Sequence, residues 1–466
     1  MNEAPPINSA ILSRHERNGP RYTSYPAAPH FSEAFGEEDL RRHILRSNAE
    51  PIPRALSLYV HVPYCFMPCY YCGCNRIITR DTRRGERYLE HLLLEIQHLS
   101  PLFDRDRDVL QVHLGGGTPN FLRPAQLRRL FDSLGRHFHF SSSPDRDFSI
   151  ELDPRYVEKG DIQELAAIGL NRASLGVQDF DPEVQRAVNR LQSVEQTLEV
   201  IDDCRAAGFR SVNVDLIYGL PRQTIAGFTR TLDTIIAARP DRLAVYGYAH
   251  LPQIFKAQRP IKADDLPDAE TRLSLLRLAI GKLTQAGYRY IGLDHFALPG
   301  DDLVLAQPGG TLHRNFMGYT THADCDLLGL GVSAISHIGD SYSQNPRELP
   351  AWEIAVESGR LPAWRGLEMN EDDVLRAEVI QHLMCAGEID IAAIERRFDI
   401  DFHGYFADSL PELGRLARDG LVTIDNQRIA ATAQGRYLLR IIAMCFDRYL
   451  QPECAPKQPA RFSQAI

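Results

Sequence analysis

Six short runs of β-branched and apolar residues, each followed by a longer segment of helical period, restrict this chain to a parallel α/β architecture. The runs occupy residues 56–62, 109–114, 148–152, 172–177, 211–216 and 242–248. Between the first two lies ERYLEHLLLEIQHLS, where Leu89, Leu92, Leu93, Ile96 and Leu99 recur at the spacing of one helix face. AQLRRLFDSL, PEVQRAVNRL, SVEQTLEVIDDCRAAG and FTRTLDTIIAA supply later helices. Strands that alternate with helices need crossover connections and therefore pair in parallel. Six such units predict a partial (β/α)6 barrel, with functional residues at the carboxyl ends of its strands.

The first run ends in HVPYCFMPCYYCGC, which sets Cys65, Cys69 and Cys72 in a Cys-x3-Cys-x2-Cys loop. Three thiolates on one loop suit three corners of a cubic [4Fe–4S] cluster and leave one iron open to a small molecule. A structural zinc site wants four ligands, normally from two separated pairs, and no second pair is evident. Three buried or redox-active thiols are the bland alternative, with Cys69-x2-Cys72 as a thioredoxin-type hint. Cys74 reads as a spare ligand, a buried thiol or a catalytic hydrogen source. In spacing and context the loop resembles the radical S-adenosylmethionine (SAM) family. That resemblance implies SAM on the open iron and its cleavage to a 5′-deoxyadenosyl radical.

Other strand ends carry apt chemistry. Tyr59, Tyr64, Tyr70 and Tyr71 crowd the loop; packing accounts for some, while Tyr59 is a candidate to set its hydroxyl beside SAM and Tyr71 to stack on adenine. His61 reads more readily as a satisfied loop histidine than as a ligand, yet it joins Tyr59 and Cys74 as a catalytic candidate. The second run enters GGGTP, residues 115–119, whose glycines let backbone N–H groups approach a ligand, or simply form a tight turn. Glu151 and Asp153 share one face at the third strand end. Gln178 and Asp179 end the fourth and Asp215 the fifth; acids here suit a ribose or a methionyl ammonium, and Asp153 before Pro154 equally suits a helix N-cap. Arg190, in AVNRLQ, fits a SAM carboxylate through a bidentate fork or is a solvated helix-end charge.

Acids outnumber bases 61 to 52, giving a formal charge of −9, which argues against a nucleic-acid partner. No apolar run is long enough for a bilayer. The nine cysteines are clustered once and otherwise scattered, and the N-terminus lacks a signal-peptide pattern, so a reducing cytoplasm is expected. After the barrel, the run YRYIGLDHFA and the Gly-rich RNFMGYTTHADCDLLGLGVSAIS are expected to close its open side or wall a pocket. From about Asn370, an N-cap followed by three acids, the chain turns helical. DGLVTIDNQRIAATAQG reads as a hairpin between helices in a winged-helix-like pattern, taken as a structural lid because no basic stripe accompanies it. The expected division is an extension over 1–54, the barrel and its closing segment over 55–365, and a helical C-terminal domain over 366–466.

Taken together, RYTSYP, YVHVPYC, CGCN, HLGGGTP, LGVQDF, NVDLIYGLP, YAHLP, LDHFA, HRNFMGYTT and GVSAIS make the chain similar to the oxygen-independent coproporphyrinogen III oxidases of the radical SAM family. The resemblance implies decarboxylation of two propionates of coproporphyrinogen III to vinyl groups, with an unidentified reduced electron donor, in a monomeric cytoplasmic enzyme. It implies two SAM molecules: Tyr59, Gly116, Glu151 and Ile335 for the first, and Tyr71, Gly117, Thr118, Gln178, Arg190, Asp215 and Ala249 for the second. Tyr71 stands where Phe is more usual. The extension is expected to close over substrate, with Arg21 and Tyr22 as substrate residues. The alternative is a non-catalytic haem chaperone with the same cysteine triplet; Cys74 and RYTSYP oppose it.

Overall fold

All six runs form strands of one parallel sheet. The computed structural model describes residues 11, 14, 15, 17–451 and 462; the remaining parts of the expected extension and C-terminal tail lie outside the described residues. The strands are Ala55–Val62 (β1), Asp108–Gly116 (β2), Asp147–Leu152 (β3), Arg172–Gln178 (β4), Ser211–Tyr218 (β5) and Arg242–Gly247 (β6). Each pairs in parallel with the next, in the order expected for a partial barrel. A seventh parallel strand, Cys325–Leu330 (β7), adds to the free edge of β1, with Tyr59 opposite Gly329. Ile335–Ile338, Ser341–Gln344 and Arg365–Glu368 then continue the sheet in antiparallel fashion. The Gly-rich stretch thus contributes a sheet strand as well as a loop.

The crossover helices cover one face of the sheet: along β3, β4 and β5 buried residues alternate with half-buried ones. Arg83–Leu99 buries Leu89, Leu92, Ile96 and Leu99 as their spacing predicts, together with Tyr88 and Glu95, which its apolar pattern does not reveal. Ser193 and Thr224 cap Val194–Ala206 and Ile225–Ala238 by accepting the backbone N–H groups of Gln196 and Gly227.

Two compact units emerge. The first takes 31–271 and 324–368 and holds the parallel sheet; the second takes the described residues of 1–30, 272–323 and 369–466. The boundaries differ from the linear sequence division, because 272–323 group with the C-terminal part and 31–54 with the sheet.

In the second unit, YRYIGLDHFA is a hairpin of Arg289–Gly292 and His295–Ala297. Asn370 caps Glu371–Ala386 in a capping box with Asp373, and Gly387 ends that helix at φ +79°. Ile391–Phe398 and Leu410–Arg418 follow, and Glu388–Asp390, Arg428–Ala431 and Val422–Ile424 form a three-stranded antiparallel sheet. This is the winged-helix-like order expected. Its core gathers Leu383, Ile389, Phe402, Phe406 and Phe446, with Tyr22 and Tyr25 of RYTSYP built into it.

Candidate metal centre and cofactor site

The cysteine loop is closed at its base. Tyr64–Cys65 pairs in parallel with Ile77–Ile78, and the Thr79 N–H donates to the Cys65 carbonyl at 3.0 Å. Further out, the Tyr70 N–H reaches the Val188 carbonyl at 3.0 Å, and Asn189 Nδ2 the Pro68 carbonyl at 2.7 Å. Cys65 and Cys69 are buried, Cys72 is half-buried and Cys74 is exposed.

Each of the three loop sulfurs has its own donor. Thr118 Oγ1 lies 3.3 Å from Cys65 Sγ, Arg190 Nη1 3.6 Å from Cys69 Sγ, and the Cys74 N–H 3.4 Å from Cys72 Sγ. The Cys74 side chain, then Arg76, pull the Cys72 thiol down to about 6 against burial, and the same pairing drives Cys74 up. Burial pushes Cys65 up to about 12 against the Thr118 hydroxyl; iron at that sulfur would supply the positive charge a buried thiolate needs. Among the described residues, no three His, Cys, Asp or Glu side chains gather around a single ion. A cubane asks for something else, one cysteine per iron on separate corners, and this donor set fits it.

The glycine triplet lets two strand ends meet. A Cβ on Gly116, at φ +117°, would lie 2.6 Å from the His61 ring, and one on Gly117 2.7 Å from the Pro63 carbonyl oxygen. A plain turn would not need this. The Gly116 N–H donates to Glu151 Oε2 at 3.1 Å, and Glu151 Oε1 faces His113 Nε2 at 3.3 Å. His113 stacks on Tyr59 with ring centroids 5.9 Å apart.

The Tyr59 hydroxyl is 3.1 Å from His61 Nδ1, and His61 Nε2 is 2.9 Å from the Asn75 carbonyl oxygen. A carbonyl only accepts, so Nε2 carries the proton and Nδ1 accepts from Tyr59. Burial lowers the His61 pKa and keeps the ring neutral. His61 is therefore a satisfied histidine near the end of β1, where it orients Tyr59. Opposite Tyr59, Gly329 has no Cβ because one would fall 2.5 Å from the Ile335 carbonyl oxygen. Tyr59, Gly116, Glu151 and Ile335 thus share the carboxyl end of β1, together with His113, which sequence reasoning missed.

Of the second set, Gln178 and Asp215 lie on β4 and β5. Gln178 ends β4 at φ +70°. Asp215, level with Gly176, accepts from Ser174 Oγ at 3.2 Å and Asn213 Nδ2 at 2.8 Å. Burial, then the Glu151 charge, push its pKa up to about 7. Tyr71 and Ala249 are joined by Gln258, whose Nε2 donates to both carbonyls, at 2.9 and 3.1 Å. Gln258 is a further residue that the sequence did not flag. Asp179, in contrast, turns to Thr231 and Gln223 at 2.7 and 2.6 Å as a buried structural carboxylate.

The fork of Arg190 is where the structure corrects expectation. Its Nη1 and Nη2 close on the Asp153 carboxylate at 3.1 and 3.2 Å, and Nη2 also reaches the Gly176 carbonyl at 2.5 Å. The fork expected for a ligand carboxylate is taken by a protein one, while buried Nε has no partner. Asp153 also caps the turn Pro154–Tyr156 and pairs with Arg155, which the sequence reading passed over.

Residues 59–235 match the Radical SAM superfamily and 369–438 the HemN C-terminal domain. The oxygen-independent coproporphyrinogen III oxidase of Pseudomonas aeruginosa is 50% identical over 440 residues, covering 94% of this chain and 95% of the relative. That of Escherichia coli is 48% identical over 452 residues, covering 97% of each. The solved structure of the E. coli coproporphyrinogen III oxidase, described as a radical SAM enzyme, superposes with a TM-score of 0.91 at 47% identity, covering 97% of this chain and 100% of that one. The chain belongs to the oxygen-independent coproporphyrinogen III oxidase family. Membership of the radical SAM superfamily implies a [4Fe–4S] cluster and SAM.

In this oxidase-family chain, RYTSYP lies in the second unit. Arg21 forms an ion pair with Asp294. Tyr22 does not present a free face: it is buried, and its hydroxyl donates to Asp447 Oδ2 at 3.0 Å. Arg440 donates to the Gly19 and Pro20 carbonyls, and Arg314 Nε to that of Arg21 at 3.3 Å. Tyr22 therefore anchors the segment that presents Arg21. Among the described residues no helix is long and apolar enough to cross a membrane.

Proposed function

We propose that this chain converts coproporphyrinogen III to protoporphyrinogen IX by oxidative decarboxylation of two propionates to vinyl groups without oxygen. The observation that carries the reading is the closed three-cysteine loop at the strand ends, each sulfur with its own donor, in a chain alike over 94% of its length to an oxidase of this name. When bound, the one-electron-reduced cluster and SAM would supply a 5′-deoxyadenosyl radical for abstraction of a propionate β-hydrogen, the carboxylate then leaving as CO2 as an unidentified acceptor takes up one electron. Cys65, Cys69 and Cys72 each hold one iron. Tyr59, Gly116, Glu151 and Ile335 bind one SAM, with His61 and His113 fixing Tyr59 from two sides. Tyr71, Gly117, Thr118, Gln178, Asp215 and Ala249 bind a second, to which Arg190 offers Nε while its fork stays on Asp153.

Cys74 serves as a catalytic thiol beside the ligands. Arg21 meets a substrate propionate by exchanging Asp294 for it, since four carboxylates need local cations. The enzyme works as a cytoplasmic monomer fed by a separate reduced electron donor, with neither nucleic acid nor membrane as a partner. Incubating anaerobically reconstituted protein with reductant, SAM and coproporphyrinogen III tests the reading. Vinyl product with deoxyadenosine is the expected outcome; haem binding without either would overturn it in favour of a chaperone.

A further inference from the structure

Arg155 is a charged group at the cluster loop that neither the cysteine motif nor the SAM residues account for, and unlike Arg76, which donates to the Cys69 carbonyl, it points at a ligand sulfur. Its Nε and Nη2 grip the Asp153 carboxylate at 3.0 and 2.7 Å, and Nη2 also points at Cys69 Sγ from 3.8 Å. Arg190 approaches the same sulfur at 3.6 Å and shares the same carboxylate. The three side chains are withdrawn from water, at 10% exposure for Arg155, 8% for Asp153 and 7% for Arg190. The Arg155 guanidinium lies 5.3 Å over the Tyr156 ring, and Tyr156 packs at 4.5 Å against Phe66, the neighbour of Cys65.

Two cations share one anion here, which leaves a positive charge unmatched at Cys69. Positive charge and hydrogen bonds to a ligand sulfur favour the reduced form of an iron–sulfur cluster. A pair that served only to brace the strand end would have been complete with a single arginine.

We propose that Arg155 is a positioning residue that, by sharing Asp153 with Arg190 and donating to the Cys69 sulfur, raises the potential at which the cluster accepts its electron. The inference rests on the cluster assignment above. It is tested on the full chain, reconstituted anaerobically without SAM, as wild type, Arg155→Gln, Arg155→Lys and Asp153→Asn. Iron content is measured first, then the midpoint potential by titration followed by electron paramagnetic resonance.

Arg155→Gln should move the midpoint to more negative values. Arg155→Lys, which keeps the charge but loses the fork, should fall between it and wild type. Asp153→Asn should move it the opposite way, because it removes the anion. A general loosening of the site would push all variants in one direction. The proposal is overturned if Arg155→Gln titrates with wild type, or if Asp153→Asn shifts in the same sense as Arg155→Gln. Should Arg155→Gln hold no iron, the Lys and Asn variants decide by the same signs. A wild-type chain that takes up no iron would fail the cluster assignment itself, a different result from an unmoved midpoint.

Discussion

The parallel sheet carries a buried arginine–aspartate pair at each end, and the two are built differently. At the amino end, Arg107 Nη2 meets Asp326 Oδ2 at 2.6 Å, with both side chains 1% exposed. The other nitrogens of Arg107 are also engaged, Nη1 with Asn48 Oδ1 at 3.0 Å and Nε with the Arg54 carbonyl at 2.7 Å. Asp326 accepts in addition from Ser47 and from the Gly339 N–H. The network is closed and its charges balance.

At the carboxyl end, Asp153 faces two arginines, one with a buried Nε left over, and both guanidinium groups reach toward Cys69. That network has charge and donors to spare. The same residue types therefore brace the sheet at one end and, at the other, aim a surplus at the cysteine loop. Conserving function at the top of such a sheet and stability at the bottom is a general division of labour in βα folds.

The comparison breaks most sharply if the two ends fail to separate chemistry from stability. Cys72→Ser should abolish the iron chromophore and all turnover, from about four irons per chain, while leaving the unfolding curve close to that of apo wild type. Cys74→Ser should keep the iron and lose turnover. Loss of iron there, read from absorbance and metal analysis, would move the ligand assignment by two residues.

Next in size is the closed end. Arg107→Met leaves the Asp326 carboxylate buried beside only neutral donors, and should cost about 3–5 kcal/mol in the unfolding transition of the sheet unit. Iron loading per folded chain should not change. A variant that unfolds like wild type would show that the closed network braces nothing.

A smaller effect is expected where the backbone approaches most closely. Gly117→Ala sets a Cβ 2.7 Å from the Pro63 carbonyl oxygen and 3.0 Å from that of Tyr64. Both are backbone atoms beside Cys65, so the loop base must shift. A cost of about 1–3 kcal/mol is expected, with weaker SAM binding seen by calorimetry. The same substitution at Gly160, where a Cβ would meet nothing, serves as the strained but unobstructed control.

How much of this was legible in the sequence differs between the two ends for a physical reason. Strand positions, the cysteine loop and the glycine triplet are written in local period and spacing, which survive without knowledge of the fold. So is the Asn370 cap. The pairs are not: Arg107 and Asp326 stand 219 residues apart, and each looks like any surface charge until β7 adds to the edge of β1. Asp153 and Arg190, 37 residues apart, both stand out in the sequence, Asp153 as a ligand or a cap and Arg190 as a ligand or a solvated helix-end charge, because only the fold shows that they face each other. His113 and Gln258 escaped for a related reason, since they act through other residues: His113, although it opens HLGGGTP, through Tyr59 and Glu151, and Gln258 through the Tyr71 and Ala249 carbonyls.

The finest comparison concerns a carboxyl that shares the open end without belonging to its ion pairs. Asp215 has its pKa raised from 3.8 to about 7, first by burial and then by the Glu151 charge, against the hydrogen bonds from Asn213 and Ser174 and the more distant positive charge of Arg190. The folded chain therefore holds a proton that the unfolded chain has released between about pH 4 and pH 7. Stability must fall across that window as pH rises, because the native state binds more protons than the unfolded one. Asp215→Asn removes this slope and keeps the geometry: its oxygen can accept from Asn213 while its amide donates to the Ser174 hydroxyl, which then turns to accept. The expected result is a pair of stability–pH curves that separate progressively from pH 4 to pH 7 and run parallel above it, with the variant the more stable. Curves parallel throughout would mean that Asp215 ionises as an ordinary surface acid, and that its strand end is wetter than the packing around it indicates.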